Sequence, residues 1–314
     1  MSELQTNETI SPSFSLKKLV KRLAEQGPFR TLETPKRIRL LYNGAFVADT
    51  SKALYVWEHE YYPQYYLPME SFVKPRGFDV RLSHGDAIRD ENDKIVGGGL
   101  ELAVRRQNSD EEFRVLNEMV LFAADLEGPA TCLRNYVKVL FNAVGPSLIF
   151  PSRHIGRVPN LCLVADQWFE EDTPIYVHPR DPYKRVDCLQ SLKPIRVTIP
   201  SNGTDIILAE SPTSVLLYET MLPRRYYIPY TSIRTTYLRL STTTSECPYK
   251  GIAQYHSIVV NGEEHKDLVW WYRAPTAECV AVTGLRCFYN EKIDIWILEG
   301  TEWVKQERPK THFA

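Results

Sequence analysis

The densest chemistry in this chain lies in seven consecutive residues, Ser245-Glu246-Cys247-Pro248-Tyr249-Lys250-Gly251. Pro248 and Gly251 frame a turn that presents Cys247, Tyr249 and Lys250 at one end of a strand. An ammonium close to a thiol favours the thiolate, the form that acts as nucleophile or base. Lys250 can instead hold a carboxylate or phosphate, or form a Schiff base once desolvated. Upstream, Leu216-Leu217-Tyr218-Glu219 reads as an apolar strand ending on an acid, and Tyr226-Tyr227 follows a short turn. Glu219 then serves as general base or substrate anchor and Tyr226 or Tyr227 as a hydrogen-bond donor, with Tyr227 the one taken as catalytic. Strand alternation turns one tyrosine of that pair to the core and the other away. Arg225, Tyr249, Tyr255, Trp271 and Tyr272 are the expected ligand contacts, since aromatic walls with polar tips suit a small planar or apolar molecule. Each feature also has a plainer account: a tight turn with a buried thiol, an ion pair between Glu219 and Arg224 or Arg225, and aromatics that fill a small β core.

Other chemistries leave no such trace. The six cysteines (Cys132, Cys162, Cys188, Cys247, Cys279, Cys287) form no C-x-x-C pair, so neither a metal nor a cofactor is expected. There is no D-x-D, no G-x-x-x-x-G-K-[ST], no G-x-G-x-x-G and no G-x-S-x-G. Gly97-Gly98-Gly99 is a lone glycine run with no helix signature behind it, a weak phosphate cradle. Glu291 and Asp294 are a single acidic pair near a strand end, and His256 and His265 lie apart from the seven-residue motif in sequence.

The 314 residues carry 38 Lys+Arg against 39 Asp+Glu, so no global field draws nucleic acid or an anionic membrane. No apolar run approaches the roughly 18 residues of a bilayer span. The first 30 residues lack a secretory pattern, and a cytoplasmic protein is expected. The sequons at Asn7 and Asn202 then carry no weight.

The elements that must position the motif are mostly strands. Residues 1–13 read as a polar tail. From Ser15, Leu16, Leu19, Val20 and Leu23 recur at helical spacing until Gly27-Pro28 stops them. Eight basic residues between Ser15 and Leu40 permit a membrane- or nucleic-acid-binding helix, but the narrow apolar stripe favours a surface helix with its lysines in water. Asn43-Gly44 marks a hairpin. One further helix is expected over residues 110–126. An internal repeat joins the halves: Ala48–Pro68 aligns with Ala209–Pro229 at a constant offset of 161, matching Ala48/Ala209, Glu58/Glu219, Tyr65/Tyr226, Tyr66/Tyr227 and Pro68/Pro229.

The blocks at 168–187, 207–211, 216–229, 245–255, 267–272 and 284–296 resemble the tandem form of the domain of unknown function 427 family, which some catalogues label a nucleotidyltransferase group. The resemblance implies a mainly β fold of two tandem β-tent-like antiparallel domains with short helices. The expected layout is a tail and basic helix over 1–29, a first, remodelled repeat over 30–187 with an insertion at about 83–160, and an intact second repeat over 188–314. The first repeat shows no counterpart of residues 245–251, so a site is sought in the second. Three functions stay open. The preferred one is an enzyme acting on a small organic molecule by metal-free acid–base chemistry of lyase, isomerase or cyclase type, with Glu219, Tyr227, Cys247 and Lys250 in one pocket. The others are a noncatalytic metabolite- or protein-binding module, and nucleotidyl transfer. A monomer of two packed repeats, or a homodimer, is expected.

Overall fold

The structure, a computed structural model, describes residues 14–144 and 166–310. The tail expected over 1–13, Asn7, Cys162 and the part of the expected insertion at 145–160 lie outside the described residues. The chain divides into two units, Met1–Pro179 and Arg180–Ala314.

The first unit opens with helix α1 (Phe14–Gln26), whose Leu16, Val20 and Leu23 share one buried face while Lys18 and Lys21 face water. Gly27 ends it in the left-handed region (φ 74), donating its N–H to the Leu23 carbonyl at 2.8 Å. Eleven strands follow: β1 (Arg30–Glu33), β2 (Ile38–Tyr42), β3 (Ala45–Thr50), β4 (Leu54–Trp57), β5 (Gln64–Pro68), β6 (Phe78–Arg89), β7 (Ile95–Arg106), β8 (Arg114–Phe122), β9 (Tyr136–Val139), β10 (Gln167–Glu170) and β11 (Thr173–Ile175). The second unit holds β12 (Val186–Ser191), β13 (Ile195–Ser201), β14 (Thr204–Ser211), β15 (Ser214–Glu219), β16 (Arg225–Ile228), β17 (Leu238–Cys247), β18 (Gly251–Val260), β19 (Glu263–Tyr272), β20 (Arg286–Phe288), β21 (Asp294–Glu299) and β22 (Glu302–Lys305). Asn43 (φ 48) and Gly44 (φ 79) make the two-residue turn between β2 and β3, as the sequence predicts.

The fold is mainly β, with two sheet-rich halves. Each unit has a seven-stranded and a four-stranded sheet, antiparallel throughout their strand ladders. The long sheets run β1-β4-β5-β9-β8-β7-β6 and β12-β15-β16-β20-β19-β18-β17. The two orders are the same path. Register extends the match residue by residue. Tyr66 faces Lys138 as Tyr227 faces Cys287; Lys138 faces Val120 as Cys287 faces Trp270; Val120 faces Gly99 as Trp270 faces Tyr255. Residues 78–139, read from the sequence as mostly inserted, therefore supply four of the seven strands of the first unit's long sheet.

The main core of each unit lies between its two sheets: Ile38, Leu40, Val47, Leu67 and Leu100 in the first, Ile195, Val197, Ile228 and Ile258 in the second. The other face of each long sheet carries a second cluster. In the first unit α1 lies on that face, its Leu16, Val20 and Leu23 meeting Leu54, Val56, Tyr66, Val120 and Phe122. Burying three such side chains contributes roughly 1.5–3 kcal/mol each, which makes α1 a fixed roof.

Two expectations are corrected here. The helix expected over 110–126 is strand β8. Leu100 and Leu102 of β7 face Met119 and Leu116 of β8, so β8 carries one extra residue between them. That bulge puts Leu116 and Met119 on one face three residues apart, which imitates helical spacing. Gly97-Gly98-Gly99, weighed as a phosphate cradle, lies inside β7. A Cβ on Gly97 would stand 2.7 Å from the Leu121 carbonyl oxygen and 3.1 Å from Val20 Cγ1. The run lets α1 approach the sheet.

Candidate active site in the second unit

In the second unit no α-helix covers the corresponding face among the described residues. Strand alternation brings Val215, Leu217 and Glu219 of β15, Arg225 and Tyr227 of β16, Cys287 of β20, Trp270 and Tyr272 of β19, and Ala253 and Tyr255 of β18 to it. Cys279 and Val282, from a 3₁₀ segment over Ala277–Val282, close one end.

Lys250, in the turn between β17 and β18, reaches across this face and donates to Glu219 at the end of β15. The two side chains are 14% and 7% exposed. Cys247 lies near enough to act on the Lys250 charge. Burial pulls the Lys250 pKa down, but Cys247 and Glu219 outweigh it and the net shift is upward. Lys250 is therefore a resident positive charge, which disfavours imine formation. The turn is held from outside: the Tyr249 carbonyl accepts from Thr276 Oγ1 at 2.5 Å and from Cys279 Sγ at 3.5 Å, and the Lys250 carbonyl accepts from Thr276 N–H at 3.2 Å. Gly251, with φ 95, closes it in the left-handed region.

Around this centre stand neutral phenols and thiols. Tyr227 is fully buried, its hydroxyl accepting from Trp270 Nε1 at 3.1 Å, and burial pushes its pKa well up. Burial does the same to Tyr272, beside Cys247 and Tyr255. Tyr255 shares a hydrogen bond with Ser245 Oγ at 2.7 Å. Burial pushes the Cys279 and Cys287 thiols up to about 12 and raises that of Cys188, so these remain thiols at neutral pH.

Glu219, Cys247 and Lys250 are thus brought together, with Tyr272, Tyr255 and Tyr227 on the same face. Three residues read as ligand contacts are placed otherwise. Arg225 is held by both Glu291 oxygens (2.7 and 2.6 Å) and by Asn290 Oδ1 (2.5 Å), with its guanidinium 5.4 Å from the Trp270 ring centre. It does not pair with Glu219. Tyr249 turns its hydroxyl to the Asp181 N–H, 2.9 Å away. Trp271, one residue from Trp270 and Tyr272, points to the opposite face of the sheet. Trp270 takes the place on the wall that Trp271 was given; counting back two from Tyr272 would have found it. Cys188 and Cys279 left no motif to find.

The first unit keeps the acid and pairs it differently. Glu58, equivalent to Glu219, is paired by Lys138 at 3.1 Å and accepts from the Tyr66 hydroxyl at 3.0 Å. Lys138 comes from β9, not from a hairpin turn, is 2% exposed, and also donates to Gln64 Oε1 at 2.8 Å. Burial depresses its pKa against the pull of Glu58. No thiol joins this pair among the described residues, and α1 lies on this face of the sheet. Elsewhere in the second unit, Glu291 is committed to Arg225, and Asp294 to Lys305 (2.8 Å) and Arg308 (2.9 Å). Among the described residues no three His, Cys, Asp or Glu side chains converge as metal ligands, and no helix is long and apolar enough to cross a membrane.

Paired sheets, repeated along the chain with one outer face roofed and the other built around an ion pair and a thiol, define a tandem β-domain protein. The family model described as domain of unknown function (DUF427) matches residues 30–78 and 187–299, a little over half of the chain. The chain belongs to this family. The first matched segment ends where β6 begins, and the second covers nearly all of the unit that holds Glu219, Cys247 and Lys250. A comparison with curated proteins finds no match.

Proposed function

We propose that the second unit is an enzyme site for a small organic molecule, working by side-chain acid–base chemistry of lyase, isomerase or cyclase type. One observation carries the reading: the Lys250 ammonium is paired with the Glu219 carboxylate and lies near Cys247, on a sheet face walled by Tyr255, Trp270 and Tyr272. In this scheme Lys250 offers a fixed positive charge to an oxygen that becomes negative during reaction. Glu219, and Cys247 once deprotonated, flank it as proton acceptors. The phenols, held neutral, donate hydrogen bonds and exclude water.

The Lys138–Glu58 pair of the first unit favours a second reading. There a lysine only 2% exposed and the equivalent glutamate meet on a sheet that carries α1, with no thiol beside them among the described residues, so the ion pair alone has structural value. On that reading the second unit is a binding module, and the thiol is incidental. Nucleotidyl transfer, the activity in the family label, draws less support, because Glu291, Asp294 and Glu219 are each already matched by a cation.

Alkylation of Cys247 by iodoacetamide, followed by peptide mass spectrometry in the full chain, separates the two. With Lys250 engaged in chemistry, K250M slows alkylation of Cys247 about tenfold, the loss expected when a neighbouring cation is removed, while exposed Cys132 is unaffected. Equal rates at Cys247 in wild type and K250M would reject the enzyme reading.

A further inference from the structure

A second group of residues in this unit has no role in the site above. Three buried nitrogen atoms lack a hydrogen-bond partner among the described residues: Arg286 Nε, Trp271 Nε1 and His256 Nδ1. They lie on neighbouring strands β20, β19 and β18, on the face turned toward the four-stranded sheet. The Arg286 guanidinium is stacked between two rings, 4.3 Å from the centre of Tyr230 and 4.2 Å from that of Trp271. The His256 ring is 6.4 Å from Trp271. Arg286 is 9% exposed and His256 7%. The guanidinium donates from Nη1 to the Gly284 carbonyl, and no carboxylate pairs with it among the described residues. A guanidinium stays charged in a protein, so this is a buried cation without a counter-charge.

The fold does not ask for it. The register that equates Tyr66 with Tyr227 also equates Arg286 with Val137, Trp271 with Leu121 and His256 with Leu100. All three belong to or pack on the apolar core of the first unit. At the repeat offset of 161, Tyr230 stands where the first unit has Met69. The same sheet closes there on aliphatic side chains; in the second unit it closes on three nitrogen atoms, with no partner supplied for them. Buried polar atoms without partners are rare in folded proteins.

We infer that Arg286, Trp271 and His256 form a binding site for a small oxyanion, a carboxylate or phosphate group, on the opposite side of the sheet from Glu219 and Lys250. The guanidinium supplies the charge and the Nε–H, the indole a second N–H, and His256 a third from Nδ1. Gln254, beside Trp271 in the ladder, borders the same row. Tyr230, 42% exposed, covers the outer side of the guanidinium and is the group an entering anion displaces. The inference stands independently of the enzyme reading.

The test is thermal unfolding of the full chain titrated with sodium phosphate and, separately, sodium acetate, with sodium chloride holding the ionic strength. A saturable rise in Tm of a few degrees is expected in wild type. The midpoint of that rise should move at least tenfold in both R286V and W271F. R286V, which installs the first unit's residue, should melt no lower than wild type without added anion, since it removes an uncompensated buried charge. A response to phosphate alone assigns a phosphate group, and to acetate alone a carboxylate. No saturable rise with either anion in wild type overturns the site, as does an unchanged midpoint in W271F. If R286V fails to fold, W271F and H256L carry the comparison.

Discussion

Replacing Gly97 by alanine tests whether α1 is a fixed roof on the first unit. The added Cβ would stand 2.7 Å from the Leu121 carbonyl oxygen, a backbone atom of the neighbouring strand, and 3.1 Å from Val20 Cγ1 on the helix. The methyl of Val20 can yield by a few tenths of an ångström. The carbonyl cannot move without disturbing the ladder in which Gly97 faces Phe122 and Gly98 faces Leu121. Overpacking of this kind costs about 1–3 kcal/mol, and a backbone obstacle places G97A at about 2–3 kcal/mol. For a unit of this size that corresponds to a fall in Tm of about 4–12 °C. G98A is the matched control: its Cβ would meet the Asp86 carbonyl oxygen at 3.5 Å, an ordinary contact. It should lie within about 0.5 kcal/mol of wild type. Guanidinium denaturation of both variants, alone and combined with V20A, reads the difference. The V20A change should hurt less in the G97A background by about 0.5 kcal/mol or more, because it removes one of the two obstacles. If G97A matches G98A within error, the helix does not press on the sheet and the account of the glycine run is wrong.

Other consequences follow from the second unit. K250M leaves the Glu219 carboxylate, 7% exposed, without its cation, and should lower stability by about 3–5 kcal/mol in urea denaturation, most of which returns in the double variant with E219Q. Y227F strands the indole N–H of Trp270 and should cost about 1–3 kcal/mol by the same measurement. Asp294, 3% exposed, is disfavoured as an anion by burial, but Lys305 and Arg308 outweigh this and hold its pKa below the usual carboxylate value. Its stabilisation is therefore complete above that ordinary value and is lost as pH falls through the depressed one. D294N should flatten the acid limb of a stability–pH curve, and an unchanged limb would refute the assignment.

Of the residue pairs that announced the repeat, Tyr66 and Tyr227 take the same place in β5 and β16, and Glu58 follows directly on β4 where Glu219 ends β15, so that the ion pair and its phenol neighbour hold side-chain identity. Beyond them the units share topology without sequence. Gly99 stands for Tyr255 because one outer face receives a helix and the other does not, while on the inner face Leu100 stands for His256 and Val137 for Arg286. No residue-matching of 78–139 could show that it builds the same four strands as 238–288. The meeting of Lys250 with Glu219 was legible as two motifs but not as a contact, since it joins a hairpin turn to a strand end 31 residues away. The paired roles of Trp270 and Trp271 were legible in principle: alternation assigns neighbours to opposite faces, and only the choice of which one was missed.

On the function proposed for the second unit, the roof over the first also limits how many ligand molecules one polypeptide takes at this kind of face. Duplication of a binding sheet ordinarily doubles valence, and a titration of such a protein saturates at two equivalents. Here Leu16, Val20 and Leu23 fill the first copy with the chain's own side chains, so a ligand of the Lys250 face should saturate at one equivalent per chain, and the two-fold ancestry should be invisible to calorimetry.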